Sequence, residues 1–202
     1  MIENIGRMAG MPVGPLALND EVAVDLAWKI LRATEADLGP EAVEPRQKVL
    51  LEEMVEKRGR FGRKNGKGFY DYPQGAPKRL WPGLAELQPK KLDPDTLDVA
   101  ELKVRLLAIQ ALESARCIEE RVVVDVREAD VGSILGFGFA PFTGGTISYI
   151  DGMGANAFVD LCNRLAKQYG TRFKPCKLLL DMAKKGETFY RRFPPQMRKA
   201  VA

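Results

Sequence analysis

The chain carries a glycine-rich stretch that matches one form of the dinucleotide-binding fingerprint. Gly152, Gly154 and Ala157 give the spacing G-x-G-x-x-A, after a β-prone stretch and at the start of a helical pattern. Such glycines let a phosphate approach the backbone N–H groups at a helix N-terminus. However, no second strand with a terminal acidic residue follows at about 20 residues, because Asp181 lies in a helical pattern. We therefore interpret the stretch as a turn that opens a helix, with a nucleotide site as the alternative.

A second candidate anion site is the segment 57–68, which combines cations with glycines. Its members are Lys57, Arg58, Arg60, Arg63, Lys64 and Lys67, with Gly59, Gly62, Gly66 and Gly68. Backbone N–H groups and cations together can bind a phosphate. Gly68, however, stands where a P-loop needs Ser or Thr for magnesium. A solvated turn is the simpler interpretation, and contact with an anionic ligand or with another domain is the alternative.

Two carboxylates and a proline turn are further candidates. Asp20 and Asp151 could act as a pair, but each precedes a helical pattern, so we expect them to cap helix N-termini.

The turn near the start of the chain has the rigidity that proline and glycine confer, and it is our candidate for contact with substrate or with another domain. Its residues are Gly10, Pro12, Gly14 and Pro15.

The composition excludes several kinds of site. The 202 residues include no histidine, which rules out Ser-His-Asp and Cys-His nucleophiles and His-ligated zinc. A net charge of +4 is too small to indicate nucleic-acid binding, and no apolar run is long enough to span a membrane. We expect no signal peptide at Met1. The three cysteines form no C-x-x-C pair, so a reducing, cytoplasmic compartment is the simplest expectation.

The elements that would position these residues form a repeat. Segment 4–10 aligns without a gap with segment 130–136, and a proline turn follows each. Asp20 lies six residues after Gly14, as Asp151 does after Gly145. Each aspartate then precedes a helix with an apolar stripe. The stripes contain Ala23, Leu26, Ala27, Ile30 and Leu31 in the first half, and Phe158, Leu161, Cys162, Leu165 and Tyr169 in the second.

Both halves end in the same way, but they begin differently. A second helix is predicted at about 45–58 and at about 175–185, each followed by glycine, and each half closes with Lys-x-Gly-x-x-Phe-Tyr. These matches in one order predict an internal duplication. The second half has an extra leading helix at about 99–120, with a broad apolar arc typical of a buried helix. The first half has no counterpart of it.

These patterns predict an all-α protein with two related helical repeats. We expect the first repeat at 1–72, without its leading helix, a proline-rich linker at 73–97 that wraps rather than folds, and the second repeat at 98–202. The only extended pieces that we expect are 69–72 and 146–150.

At these residues the sequence resembles the C-terminal domain of 3-hydroxyacyl-CoA dehydrogenases. The resemblance rests on the Gly10–Pro15 turn with Asp20 and Asp25, and on the closing turn 62–70. In the second half it rests on segments 105–120 and 136–145. Two copies in tandem resemble the multifunctional fatty-acid oxidation proteins, in which an enoyl-CoA hydratase domain lies upstream. The resemblance implies a fold similar to the C-terminal domain of 6-phosphogluconate dehydrogenase.

The resemblance also implies a reaction: NAD-linked oxidation of a 3-hydroxyacyl-CoA in fatty-acid β-oxidation. In the family a His–Glu pair in a Rossmann domain supplies the base, and an Asn-Arg pair on the first C-terminal helix assists. Asn163-Arg164 lies in a different helix, so no catalytic, cofactor-binding or metal residue is carried over. The expected partners are the Rossmann domain, the hydratase domain, acyl-CoA and a second copy of the repeats. The alternatives are a freestanding interaction module and a self-contained nucleotide enzyme.

Overall fold

The computed structural model describes residues 1–88 and 92–194. Pro89, which belongs to the predicted linker, and the last eight residues of the predicted second repeat lie outside these ranges. The described chain divides into two compact units, each of which is described by itself. The first contains Met1–Asn4 and Val13–Leu97, and the second contains Ile5–Pro12 and the chain from Asp98 onward.

The predicted all-α class is confirmed, since α-helices make up most of the described chain. The α-helices are α1 Ile2–Met8, α2 Pro15–Val22, α3 Val24–Leu38, α4 Pro45–Glu52, α5 Val99–Glu119, α6 Val126–Phe137, α7 Thr146–Met153, α8 Ala155–Tyr169, α9 Lys177–Lys185 and α10 Phe189–Arg192. A π-helical turn, Glu53–Lys57, extends α4. Two short antiparallel strands, β1 Tyr70–Asp71 and β2 Arg79–Leu80, pair with Tyr70 opposite Leu80.

The core of the first unit lies between α3, α4 and the closing turn. Its buried residues are Val24, Trp28, Leu31, Leu51, Met54, Val55 and Phe69. The proline-rich segment also contributes, because Trp81, Leu84 and Leu87 pack against this core. The segment forms β2 and a 3-10 turn at Pro82–Ala85, whereas we expected it to wrap without folding. Its apolar side chains supply the reason, since each gains burial by packing on the unit.

The core of the second unit is larger and is built around α5. This helix begins at Val99, and the side chain of the preceding Asp98 accepts the N–H of Glu101 as an N-terminal cap. The fully buried side chains include Leu112, Ile147, Ile150, Phe158, Leu165, Leu179, Met182 and Phe189. The helix α5 packs against α7 and α9, as expected of a helix with a broad apolar arc.

One predicted extended piece is correct and the other is wrong. Tyr70 and Asp71 form β1, but residues 146–150 lie in α7. The Asp130 carboxylate accepts the N–H groups of Ile147 at 2.7 Å and Ser148 at 3.1 Å. These N–H groups belong to the first turn of α7, where a helix leaves them without an internal partner. A side chain distant in sequence thus stabilises a helix where the local β-branched residues favour a strand.

Candidate functional site

The Gly10–Pro15 turn is closely packed, and this packing limits which residue types can occupy its positions. Gly10 has a φ of +98°, and a Cβ added to it would lie 2.6 Å from the Phe142 ring. Pro12 packs against Gly138, where an added Cβ would lie 3.1 Å from the proline ring. These contacts lie within the second unit. Gly10 therefore serves close packing, in a backbone conformation that disfavours other residues.

The other two candidates of the turn lie in the first unit and start α2. A Cβ on Gly14 would lie 2.1 Å from a carboxylate oxygen of Glu3. The buried Glu3 carboxylate accepts the N–H groups of Leu16 and Ala17, and Pro15 occupies the first turn of the helix. A buried carboxylate at a helix N-terminus accepts hydrogen bonds from the free N–H groups of the helix. Its negative charge also interacts favourably with the positive end of the helix dipole. The sequence analysis missed Glu3, because this cap comes from the preceding helix rather than from the residue before α2.

Asp20 does not cap a helix as predicted but lies inside α2. Its side chain is buried, and it accepts the N–H groups of Phe69 at 2.7 Å and Tyr70 at 2.8 Å. The Tyr72 hydroxyl donates to the same carboxylate at 3.1 Å. Burial, followed by the negative charge of Asp20, raises the pKa of Tyr72 far above its usual value. Asp20 thus fixes the closing turn of the first unit, and its oxygens are occupied by donors.

Asp151 has a comparable position in the second unit, and the prediction that it caps the helix after it is also wrong. It lies in α7 and accepts the N–H groups of Phe189 at 2.8 Å and Tyr190 at 3.1 Å. These are the first residues of α10. Burial raises the pKa of Asp151, although the two backbone hydrogen bonds oppose the shift. The aspartate therefore holds the closing turn of its unit, and each of its two carboxylate oxygens accepts a backbone N–H.

A further polar cluster is centred on Asp130, which the sequence analysis treated only as a repeat position. Besides the two N–H groups of α7, its carboxylate accepts the hydroxyls of Ser148 at 2.5 Å and Tyr190 at 2.8 Å. Gly145 packs against it so closely that an added Cβ would lie 2.4 Å from a carboxylate oxygen. With four donors around it, this buried carboxylate is a structural centre and has little capacity left to act as a base.

The segment 57–68 is not a solvated turn throughout. Arg60 is buried, donates to the Gly68 carbonyl at 2.7 Å and to Asp71 at 2.6 Å, and lies 4.1 Å from the centroid of the Trp81 ring. This correction has a physical reason, since a guanidinium can be buried when carbonyls, a carboxylate and an aromatic face surround it.

The other cations of this segment mostly face carboxylates. Arg63 pairs with Glu21 at 2.8 Å, and Lys64 pairs with Asp25. The Lys64 ammonium lowers the pKa of Asp25. Because carboxylates already pair with most of these cations, the segment has little unpaired positive charge with which to bind a phosphate.

The glycine-rich stretch Gly152–Ala157 spans the junction of α7 and α8, which agrees with the interpretation as a turn that opens a helix and disfavours the nucleotide alternative. Residues 146–153 are helical, and no strand leads into the stretch as the fingerprint requires. Gly154 has a φ of +87° and joins α7 to α8. Its role is to let the chain turn sharply.

Two of the three cysteine thiols are buried. Cys162 and Cys176 are buried, and burial raises the pKa of the Cys162 thiol to about 12. Cys117 is half-buried. Across residues 1–88 and 92–194 no cluster of His, Cys, Asp or Glu has the arrangement of a metal site. In the same ranges no helix is long and apolar enough to cross a membrane.

Comparison with known proteins finds a family match in the first part of the chain. Residues 1–72 match the family model described as 3-hydroxyacyl-CoA dehydrogenase, C-terminal domain. Among solved structures, the 3-hydroxybutyryl-CoA dehydrogenase of Escherichia coli matches 92% of this chain and 55% of its own, with 18% identity and a TM-score of 0.61. The dehydrogenase part of multifunctional enzyme 1 from C. elegans matches 89% of this chain and 41% of its own, with 22% identity and a TM-score of 0.61. This chain thus spans about half the length of those structures.

Proposed function

We propose that this chain, whose first 72 residues match the family model of the 3-hydroxyacyl-CoA dehydrogenase C-terminal domain, is the acyl-CoA-side and subunit-contact region of such an enzyme. The intact enzyme would oxidise a 3-hydroxyacyl-CoA to the 3-oxoacyl-CoA with NAD, as in fatty-acid β-oxidation. The observation that carries the proposal is the family match together with a shared fold over 92% of the chain. The turn of Gly10, Pro12, Gly14 and Pro15 remains our candidate for contact with substrate or with the other domains.

We expect this region to be inactive by itself. The oxidation moves a hydride from the substrate to NAD and needs a base for the hydroxyl proton. The chain has no histidine, and the buried Asp20 and Asp130 already accept several hydrogen bonds each. Residues 152–157 lack the strand of a dinucleotide site. The base and the NAD site would therefore lie in a Rossmann domain outside these 202 residues.

The proposal includes an internal duplication, with a first repeat at 1–72, a linker at 73–97 and a second repeat at 98–202. Three likenesses between the units support it. The helices α3 and α8 both have 15 residues. Each follows a residue with positive φ, Ala23 or Gly154, and each ends at a glycine with positive φ, Gly39 or Gly170.

The other two likenesses concern carboxylates. In each unit, the helix that comes before α3 or α8 contains an aspartate that accepts the two consecutive N–H groups of a Phe-Tyr pair. Asp20 accepts those of Phe69 and Tyr70, and Asp151 accepts those of Phe189 and Tyr190. In each unit another carboxylate, Glu3 or Asp130, binds the first-turn N–H groups of α2 or α7. A duplicated ancestral domain explains why the same chemistry recurs in the same order.

The proposed partners follow from the proposed function. They are the Rossmann domain, an enoyl-CoA hydratase domain as in multifunctional relatives, the acyl-CoA substrate and a second copy of the repeats. A reducing, cytoplasmic location suits the three thiols. The alternative is a freestanding interaction module. Ile30 and Leu38 are 58% and 67% exposed, and exposed apolar side chains suit contact with another domain as well as with a separate partner.

The test is an assay of the chain alone and of the longer reading frame. With acetoacetyl-CoA and NADH, the purified chain should oxidise no NADH above the buffer rate. A protein expressed from the frame extended upstream should be active and should contain a dinucleotide-binding domain. The E. coli 3-hydroxybutyryl-CoA dehydrogenase serves as the positive control. Turnover by the 202-residue chain, or a stop codon directly upstream, would refute the proposal.

A further inference from the structure

The closing turn of the first unit contains an asparagine followed directly by a glycine. Asn65-Gly66 is the only such pair that the five asparagines of the chain form. The backbone nitrogen of the glycine can attack the side-chain amide carbon of the asparagine, and glycine has no Cβ to hinder this approach. Two reacting groups held in one chain meet far more often than two separate molecules. The pair is therefore labile wherever the backbone lets the two atoms meet.

In the folded unit the Asn65 side chain is held at both of its polar atoms. Its Nδ2 donates to the Gly59 carbonyl at 2.8 Å. Its Oδ1 accepts the N–H groups of Phe61 and Lys67, both at 3.3 Å. Turning the amide carbon toward the nitrogen of the next residue would break these hydrogen bonds. The folded turn thus keeps the attacked carbon in place.

The attacking nitrogen is engaged as well. The Gly66 N–H donates to the Arg63 carbonyl at 3.0 Å, and Gly66 has a φ of +74° at the end of a 3-10 turn. Gly62 and Lys67 exchange N–H to carbonyl hydrogen bonds of 2.8 and 3.2 Å across this turn. Attack therefore requires that the turn open. Water for the later step is at hand, because Asn65 is exposed.

The second unit does not have this chemistry at the matching position. In the closing pattern Lys-x-Gly-x-x-Phe-Tyr, Asn65 corresponds to Lys185, and Gly66 corresponds to Gly186. Gly186 has a φ of +64°, comparable to that of Gly66. Because the same glycine conformation follows a lysine there, the asparagine is a property of the first unit and not a requirement of the turn.

We propose that Asn65-Gly66 is a deamidation site that the folded closing turn protects and that reacts when this turn opens. The Gly66 nitrogen bonds to the Asn65 Cγ, and the Cγ–Nδ2 bond breaks. Nδ2 takes up the proton that the Gly66 nitrogen loses and leaves as ammonia, so that a cyclic succinimide forms. Water then adds to either ring carbonyl. Cleavage between Cγ and nitrogen gives aspartate, and cleavage between the backbone carbonyl carbon and nitrogen gives isoaspartate.

Both products change the contacts of the turn. In aspartate a carboxylate oxygen replaces Nδ2 and faces the Gly59 carbonyl, so a donor becomes an acceptor. In isoaspartate the backbone gains a CH2 group before Gly66, which lengthens the turn that the Gly62–Lys67 pairing closes. Neither product reverts when the turn closes again. The modification is thus a lasting mark that the first unit has opened, and it is independent of the proposed enzymatic function.

The test follows deamidation of the full chain over time by peptide mass spectrometry at mildly alkaline pH. The peptide with Asn65 gains the mass difference between NH2 and OH, and chromatography separates its aspartate and isoaspartate forms. We expect the rate in buffer to be at least about tenfold lower than in concentrated urea, because an ordered segment must open before it reacts. Equal rates would show that the fold does not protect the site. No reaction of Asn65 in urea would show that there is no site.

Asn65→Gln is the control for the assignment of the signal. Its longer side chain would have to close a larger ring, so the product should disappear from this peptide in urea. A mass gain of the same size in the same peptide of this variant would place the reaction at another residue and overturn the proposal.

Two further variants test the role of the closing turn. Asp20→Ala removes the carboxylate that accepts the N–H groups of Phe69 and Tyr70, and it should raise the rate at Asn65 by about tenfold. Asp151→Ala removes the corresponding carboxylate of the second unit, and it should change this rate by less than about twofold. An unchanged rate in folded Asp20→Ala, or an equal increase in both variants, would refute control by this turn.

If Asp20→Ala does not fold, the unaltered chain provides the same information. Its deamidation rate at Asn65 is measured at increasing urea concentrations below the unfolding transition. Urea favours open states, so a rate that rises with urea supports the proposal. A rate that stays constant over this range would mean that the reaction needs no opening, and the proposal would be wrong.

Discussion

Asp20 shows how one buried carboxylate can fix a whole closing turn. It is 1% exposed and accepts two consecutive backbone N–H groups as well as the Tyr72 hydroxyl. In Asp20→Asn the amide NH2 would face one of these donors. We expect the free energy of unfolding to fall by about 2–3 kcal/mol, as for other hydrogen bonds to a buried charge.

Urea unfolding followed by circular dichroism measures this loss. Glu21→Gln is the matched control, because Glu21 is the next residue and its ion pair with Arg63 is exposed. The control should cost less than about 1 kcal/mol. Equal losses in the two variants would contradict the structural role of Asp20.

The residue types of the site could be found from the sequence, but their partners could not. Asp20 and Asp151 stand out through their spacing from Gly14 and Gly145, and a helix cap is the nearest local explanation. Their actual donors lie 49 and 38 residues further along the chain. Glu3 gave no local signal at all, since it caps α2 from the preceding helix. Local patterns identify a carboxylate that matters, whereas tertiary structure decides what it binds.

At the scale of elements, the junctions before α3 and α8 have the same shape but different residues. Ala23 has a φ of +96° and Gly154 has a φ of +87°. Alanine is strained in this region because of its Cβ, while glycine is not. Ala23→Gly should therefore raise the free energy of unfolding by about 1 kcal/mol, and Gly154→Ala should lower it by about 1 kcal/mol or more.

Chemical denaturation of both variants measures the free energy of unfolding. Each variant is the control for the other, because opposite changes are expected at equivalent positions. A loss of stability in Ala23→Gly would mean that the strain at this junction is offset by burial of the methyl group. An unchanged Gly154→Ala would mean that the turn adapts.

Helices with strong periodicity could be predicted well, and short elements could not. The predicted leading helix at about 99–120 is α5, Val99–Glu119, because a long apolar arc and an aspartate cap agree. The piece at 146–150 was predicted as extended, but it is helical because Asp130 supplies the N-terminal hydrogen bonds. The same contact removes the strand that the nucleotide interpretation of 152–157 required.

At the scale of the whole molecule, the fold class follows from the sequence because it depends on periodicity and composition. The extent of the structured first unit does not, since Trp81 and Leu84 belong to a segment whose prolines indicate a linker. Their contribution depends on packing that the local pattern does not contain.

At the scale of the whole molecule, the proposed function assigns the NAD site to another domain. If the NAD site lies outside these 202 residues, a fluorescence titration of the chain with NADH should show no saturable signal up to about 1 mM, where binding would correspond to only about 4 kcal/mol. The E. coli 3-hydroxybutyryl-CoA dehydrogenase, which has a similar fold over this region and a longer chain, should give a saturable signal in the same buffer. Saturable binding by the chain that Gly154→Asp abolishes would place a nucleotide at the α7–α8 junction. Binding that this variant leaves unchanged would place a nucleotide elsewhere in the chain. In either case the assignment of all NAD contacts to another domain would be wrong.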